Sequence, residues 1–317
     1  FIISLIMKYS IVFPGQGSQH LNMLSQDGLL KIAQSSEYSH LIDICSDLIQ
    51  TDCLELIENG PADNLNKTSI TQPVLLLTSY LHYLKLIAET NIEPALFAGH
   101  SLGEYTALVA AESITIEQAL TLVRQRGLLM EDAPRGSMAA ILGLDLPVIQ
   151  EICKEISSDD LFNIQCANLN SPSQTVISGS LNAIDKAQDI CIERGAKRAI
   201  KLNVSIAAHS SLMRAAAESF NPYLLASAFK LPKIKVIHNV DCIISSSIHE
   251  IIDLLTKQLY SPVEWVRVCE LIKESECIAI ECGPGKVLGG LMKANGINTF
   301  FSTSDAQFHE KINNNAK

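Results

Sequence analysis

The stretch Ala95–Ala111, ALFAGHSLGEYTALVAA, constrains the fold of this 317-residue chain more than any other. An apolar run ends at Ala98, the turn Gly99-His100-Ser101-Leu102-Gly103 follows, and a small-residue helical pattern begins at once. In a Gly-x-Ser-x-Gly turn between a strand and a helix, the glycines let the backbone pass close to neighbouring elements and the serine is held exposed at the bend. The helix behind it aims its first amides, and the positive end of its dipole, at negative charge that develops there. Ser101 is therefore a candidate nucleophile, and the Leu102 amide a candidate oxyanion donor. A tight structural turn would satisfy the bare motif; the strand before it and the helix after it favour the chemical reading.

Strands and helices alternate on either side of this elbow. "YSIVF" (9–13) reads as a strand that ends in the turn "PGQGSQ", and helical patterns fill 28–58. "TQPVLLLTSYLHYLKLIAE" (71–89) opens a helix with Thr71 and Pro73 as start signals, and another helix covers 115–133. From 136 the texture changes to strand "SMAAILGL", helix "PVIQEICKEIS", strands "FNIQCANL" and "SQTVISG", helix "LNAIDKAQDICIERG" and strand "AKRAIKL". That β-α-β-β-α-β order is the ferredoxin-like unit. Helix 209–228, strand 234–238, helices 248–259 and 263–274, strand "CIAIECG" and helix 286–294 follow. The expected class is α/β, a mainly parallel sheet flanked by helices (a hydrolase-like core) with an inserted ferredoxin-like α+β subdomain. The expected organisation is a discontinuous core at 7–135 and 203–304, an insert at 136–202, an extension at 1–6 and a polar, frayed tail at 305–317.

Composition narrows the function classes. A formal net charge of −10 repels phosphate backbones and argues against a nucleic-acid partner. Nine scattered cysteines, an odd number without a Cys-x-x-Cys pair, read as reduced, buried thiols of a cytoplasmic protein. "FIISLI" lacks a basic leader and is interrupted by Lys8, so it reads as an extension rather than a signal peptide. No apolar run is long enough to span a bilayer. No exposed apolar stripe asks for a second copy, so a soluble monomer is expected.

A nucleophilic serine needs a base. Among eight histidines, His100 adjoins Ser101 but points away from it in such a turn, and His20, His40, His82, His249 and His309 fall in polar or helix-surface settings. His209 ("NVSIAAHSSLM") and His238 ("KVIHNV") lie near strand ends, where sheet-edge sites form. The two are close to even; the small residues around His209 tip the choice slightly toward it. In the 115–133 helix, Ile116, Ala119, Leu120, Val123 and Met130 share a face, with Arg124 at its edge and Arg126 within it. A guanidinium aimed at a core is costly unless it meets an anion. Pairing with a buried carboxylate, snorkelling outward and gripping a substrate carboxylate with its planar fork stand as open alternatives. "FPGQGSQ" and "ECGPGKVLGG" carry no Gly-Lys-Ser/Thr and no dinucleotide spacing, so both read as turns, the first presenting the Gln16 amide to a site.

Seven blocks in order, "FPGQGSQ", "NGPADNLNKTSITQP", "GHSLGEYTAL", "RQRGLLM", "NVSIAAHSSLM", "QLYSPVEW" and "ECGPGKVL", together resemble the bacterial malonyl-CoA:acyl-carrier-protein transacylases of type II fatty acid synthesis. The resemblance implies Ser101 as nucleophile, His209 as general base and Arg126 as the grip on the free carboxylate of malonate. It implies the Gln16 and Leu102 backbone amides as the oxyanion hole, and the Gln258 main-chain carbonyl as the group that orients the histidine. The site then is a Ser-His dyad without a carboxylate. Asn168, in "ANLNSP", lies in a block that the resemblance brings toward the site from the insert. Ala207-Ala208 stand where the family often has Pro-Ser or a bulkier pair, which puts strict selection of malonyl over methylmalonyl in doubt.

The implied reaction is ping-pong. His209 takes the proton as Ser101 attacks the malonyl thioester, CoA leaves, and the phosphopantetheine thiol of acyl carrier protein attacks the malonyl-serine. Losing one oxyanion donor typically costs about 10²–10³ in rate. No cofactor is bound permanently and no metal is implied; malonyl-CoA is substrate and phosphopantetheine arrives with the carrier. Carrier proteins are acidic, and "RGAKRAIK" (Arg194, Lys197, Arg198, Lys201) on the insert is a candidate docking patch, a solvated strand end being its plain alternative. The rival readings are a discrete acyltransferase of a polyketide pathway, a serine thioesterase or hydrolase, and a non-catalytic carrier-binding subunit. The missing acidic triad member and Arg126 weigh against the hydrolase.

Overall fold

The structure, a computed structural model, describes residues 7–157 and 163–315; the 1–6 extension lies outside the described residues. Nine strands occur among the described residues: β1 (Tyr9–Phe13), β2 (Pro94–Gly99), β3 (Ser137–Leu142), β4 (Ile164–Ser171), β5 (Gln174–Gly179), β6 (Arg198–Lys201), β7 (Lys235–Ile237), β8 (Ile278–Glu281) and β9 (Phe300–Ser302). The chain divides into two compact units, one of residues up to Arg124, Phe229–Ile237 and Cys269 onward, the other of Gln125–Ala228 and His238–Val268.

The first unit is built on a five-stranded sheet in the order β7-β2-β1-β8-β9, every pairing parallel. All five residues of β1 are buried, as expected for a central parallel strand covered on both faces. Ile11 sits opposite Phe97 on one side and Ile280 on the other. The expected α/β class is thus realised, and the sheet gains an edge strand, β9, that the sequence reading passed over.

Two local expectations are corrected here. The long helix runs Thr68–Glu89, so it begins ahead of Thr71 and holds Pro73 inside it. Proline has no N–H for the carbonyl four residues back, that of Ser69. Arg124 Nη1 donates to that oxygen at 2.7 Å instead, which lets the helix continue through the proline. The tail is the second. Residues Phe308–Asn315 form a helix, because Phe308 and Ile312, one turn apart, are both buried.

The second unit holds a four-stranded antiparallel sheet in the order β4-β5-β3-β6, the ferredoxin-like arrangement read from the sequence. Helices Leu146–Ile156 and Leu181–Glu193 supply its core, where Ile149, Ile152, Ile184 and Ala187 pack with Ala139, Ile141, Ile164, Cys166 and Ile177 of the sheet. Because side chains alternate along a strand, Ile164 and Cys166 enter that core and Gln165 is turned to the other face of β4. Among the described residues none of the nine cysteines forms a disulfide, and no helix is long and apolar enough to cross a membrane.

Candidate active site

Each unit carries part of the expected set. In the first, β2 ends at Gly99, the helix Gly103–Ala110 follows, and Ser101 lies between them at φ +51°. A serine in the left-handed region is strained, at a cost of roughly 1–3 kcal/mol, and persists only where its surroundings hold it. Here the His100 N–H donates to the Phe13 carbonyl at 3.0 Å, the Gly103 N–H to His100 at 3.0 Å and the Glu104 N–H to Ser101 at 3.1 Å. A β-carbon at Gly99 would overlap the Gly103 carbonyl, and one at Gly103 would overlap that of Phe13. Both glycines of the motif are therefore required by close backbone approach.

The segment after β1 is held against this elbow through Phe13. Among the described residues, neither the Gln16 nor the Leu102 N–H donates to a backbone carbonyl. For Leu102 this follows from its place at the start of a helix, where the first amides have no intrahelical acceptor. The Gln16 side chain is committed elsewhere, with Nε2 donating to Thr68 Oγ1 at 3.2 Å. That bond pins the turn to the start of the Thr68–Glu89 helix.

In the second unit, His209 is buried and stands at φ +59°. Its N–H donates to the Leu259 carbonyl at 2.9 Å, and its Nδ1 is 2.7 Å from the main-chain oxygen of Gln258. A carbonyl can only accept, so Nδ1 carries the proton and Nε2 of the neutral ring keeps its lone pair. This is the tautomer a general base needs. Gln258, itself fully buried, also receives Arg126: Nη2 donates to Oε1 at 3.0 Å. Arg126 is only 1% exposed, which removes the snorkelling alternative. One residue thus fixes the imidazole through its main chain and the guanidinium through its side chain.

The rival histidine is engaged otherwise. His238 is buried with Nε2 2.6 Å from Ser245 Oγ, and its N–H donates to Ile243, closing the loop after β7. Asn168 lies in β4 at a bulge and bridges to Val263, whose N–H and carbonyl pair with Ala167 and Leu169. That places it on the strand edge next to the segment following Gln258. His82 departs from its expected surface setting: it is 1% exposed, with Nε2 3.0 Å from Asp27 and Nδ1 3.0 Å from Thr303 Oγ1, and burial pushes its pKa down. In the basic stretch, Arg194 pairs with Glu155 at 3.0 Å and Lys201 with Asp185 at 2.6 Å.

Two residues with structural weight carry no sequence signal of their own. Gln165 Nε2 donates to the carbonyls of His209 at 3.0 Å and Tyr260 at 3.2 Å, and its Oε1 accepts from the Ser211 N–H at 3.1 Å. Glu281, at the end of β8, accepts from Leu288 N–H at 2.9 Å and Gly289 N–H at 2.8 Å at the start of helix Val287–Ala294. Burial raises its pKa to about 7, against the lowering effect of those amides. A helix start already filled by an internal carboxyl does not cradle a phosphate, which agrees with reading "ECGPGKVLGG" as a turn.

A family model described as the acyl transferase domain matches residues 10–277. This chain belongs to that acyl transferase family. Among similar acyl transferases are the malonyl CoA-acyl carrier protein transacylases of Haemophilus influenzae, 40% identical over 90% of this chain and 91% of that protein, and of Bacillus subtilis, 40% identical over 90% of each. Of solved structures, the malonyl CoA-acyl carrier protein transacylase from Coxiella burnetii superposes with a TM-score of 0.90 at 35% identity, over 96% of both chains. A malonyl-transacylase in complex with its type II PKS acyl-carrier protein superposes with a TM-score of 0.89 at 38% identity, over 97% of this chain and 99% of that one.

Proposed function

We propose that this protein transfers the malonyl group of malonyl-CoA to the phosphopantetheine thiol of acyl carrier protein through a malonyl-serine, supplying fatty acid elongation. Ser101 is the nucleophile and His209 the general base, in a dyad whose third group is the Gln258 main-chain carbonyl. The Gln16 and Leu102 amides receive the oxyanion. Arg126 grips the malonyl carboxylate, and Asn168 belongs to the rim contributed by β4. The observation that carries this reading is the Gln258 junction, where a buried arginine suited to a carboxylate is tied to the residue that sets the histidine's tautomer.

The reaction asks for no bound cofactor, because the thioester is already activated and the accepting thiol arrives on the carrier. With Arg194 and Lys201 engaged by acidic neighbours, Lys197 and Arg198 are the charges of the basic stretch offered to an acidic carrier. Cysteines that form no disulfide among the described residues fit a reducing, cytoplasmic setting. A second reading, a discrete acyltransferase that loads a polyketide carrier, is favoured by the likeness to the transacylase bound to a type II PKS carrier.

Intact mass after mixing with malonyl-CoA, and again after adding acyl carrier protein, tests the proposal. One malonyl adduct that moves to the carrier is expected, and Ser101→Ala abolishes it. Rapid loss of malonate to water with no malonylated carrier would transfer the protein to the hydrolases. Comparing fatty-acid and polyketide carriers at equal concentration separates the two transferase readings.

A further inference from the structure

We propose that Gln165 is a positioning residue for the reaction, holding the backbone turn that presents His209; this rests on His209 being the base, as argued above. His209 is tied at three points. Its N–H reaches Leu259, its Nδ1 reaches Gln258, and its carbonyl is taken by Gln165 Nε2 at 3.0 Å. The first two ties run to the end of helix Ile248–Gln258 and the residue after it. The third runs to β4, and the same Nε2 also takes the Tyr260 carbonyl at 3.2 Å. Both amide protons are thus spent on the two segments that must stay in register for the Gln258 carbonyl to meet the imidazole.

The remaining polar atom works in the same place. Gln165 Oε1 accepts the Ser211 N–H at 3.1 Å, two residues beyond His209. The Gln165 side chain therefore brackets His209 by its carbonyl and by the amide that follows, on a backbone held at φ +59°. A β-carbon residue in that region needs such over-determination to persist. Only a primary amide of this length meets the demand, since two carbonyls require two donors and one amide N–H requires an acceptor. The alternation that sends Ile164 and Cys166 into the insert core fixes the side chain on the correct face of β4.

The experiment uses the full-length protein and variants Gln165→Glu and Gln165→Met. Glutamate keeps the shape and the acceptor but turns a second oxygen on two carbonyls; methionine keeps the volume and loses every bond. Misplacing a catalytic group by about 1 Å costs on the order of 10²-fold. We expect kcat for malonyl transfer to fall about 10–100-fold in both, with KM for malonyl-CoA changed less than about twofold and the low-field Nδ1 proton resonance of His209 lost or broadened. Wild-type kcat, with that resonance unchanged, would overturn the positioning role. The unaltered protein gives a variant-free readout: the two side-chain amide protons of Gln165 exchange slowly if both are engaged, and exchange at the rate of a solvent-exposed glutamine would overturn the proposal. If wild-type protein forms no malonyl adduct at all, the transfer reading fails; if it does, and Gln165→Glu forms it as fast, only the positioning role fails.

Discussion

Gln258 binds His209 and Arg126 through different atoms, the main-chain oxygen to Nδ1 at 2.7 Å and the side-chain oxygen to Nη2 at 3.0 Å. The two functions are therefore separable by mutation. Gln258→Met removes the arginine's anchor and keeps the carbonyl that orients the histidine. It should raise KM for malonyl-CoA roughly tenfold, the effect of one lost hydrogen bond to a charged group, with a much smaller change in kcat. Arg126→Ala should cost malonyl transfer roughly 2–5 kcal/mol, as for truncating one partner of a buried charged contact, while gaining relative activity on acetyl-CoA. Steady-state kinetics with the two thioesters check both, and an unaltered malonyl-to-acetyl preference in Arg126→Ala would remove its carboxylate role.

The Arg124–Ser69 bond gives a thermodynamic cycle. Arg124→Ala takes away the side-chain donor to a carbonyl that Pro73 cannot serve, and should cost about 1–3 kcal/mol in urea unfolding. In a Pro73→Ala background the helix supplies its own N–H to Ser69, so the same arginine deletion should cost clearly less. Equal costs in the two backgrounds would mean that the proline does not create the demand.

Gly103→Ala places a methyl against the Phe13 carbonyl. Because the obstacle is backbone, relief requires the elbow to shift, at a cost of about 3 kcal/mol in stability. The rate of Ser101 acylation per folded molecule should fall with it, measured by intact mass in single-turnover mixing. A stable variant with wild-type acylation would show that the close approach is dispensable.

Glu281 links stability to pH. Its folded-state pKa, about 7, lies above its ordinary value of 4.5, because burial disfavours the carboxylate. Its protonation therefore favours the fold fully below about 4.5, and that contribution is lost as pH rises through 7. Glu281→Gln cannot ionise and gives up one of two acceptors, so it should melt below wild type at pH 5 and close that gap by pH 8. Thermal melts at the two pH values test it; a gap that widens with pH contradicts the assignment.

Part of the candidate site's local structure was legible because its demands are local. The glycines around Ser101 answer to atoms only a few residues away or in the adjacent strand, and the place of Arg126 follows from a helical period. Residues left the choice between His209 and His238 close to even, since neither contact that separates them is written nearby. Gln165 went unnoticed because a polar residue at alternate strand positions normally faces water.

The sequence by itself determined the strand-turn-helix elbow, the β-α-β-β-α-β succession of the ferredoxin-like unit and the place of Arg126 on the apolar face of its helix, through periods of 2 and 3.6 residues and the sterics of glycine. That Arg126 stays buried rather than reaching outward was decided by the tertiary structure. Tertiary structure alone decided which nitrogen of His209 carries the proton, since the acceptor lies 49 residues along the chain. It also decided that Pro73 continues a helix, that His82 is buried between Asp27 and Thr303, and that the tail folds as a helix on Phe308 and Ile312. In each of these the controlling partner is a hydrogen bond or an apolar surface brought in from a distant segment. Such partners leave no periodic trace at the residue they control.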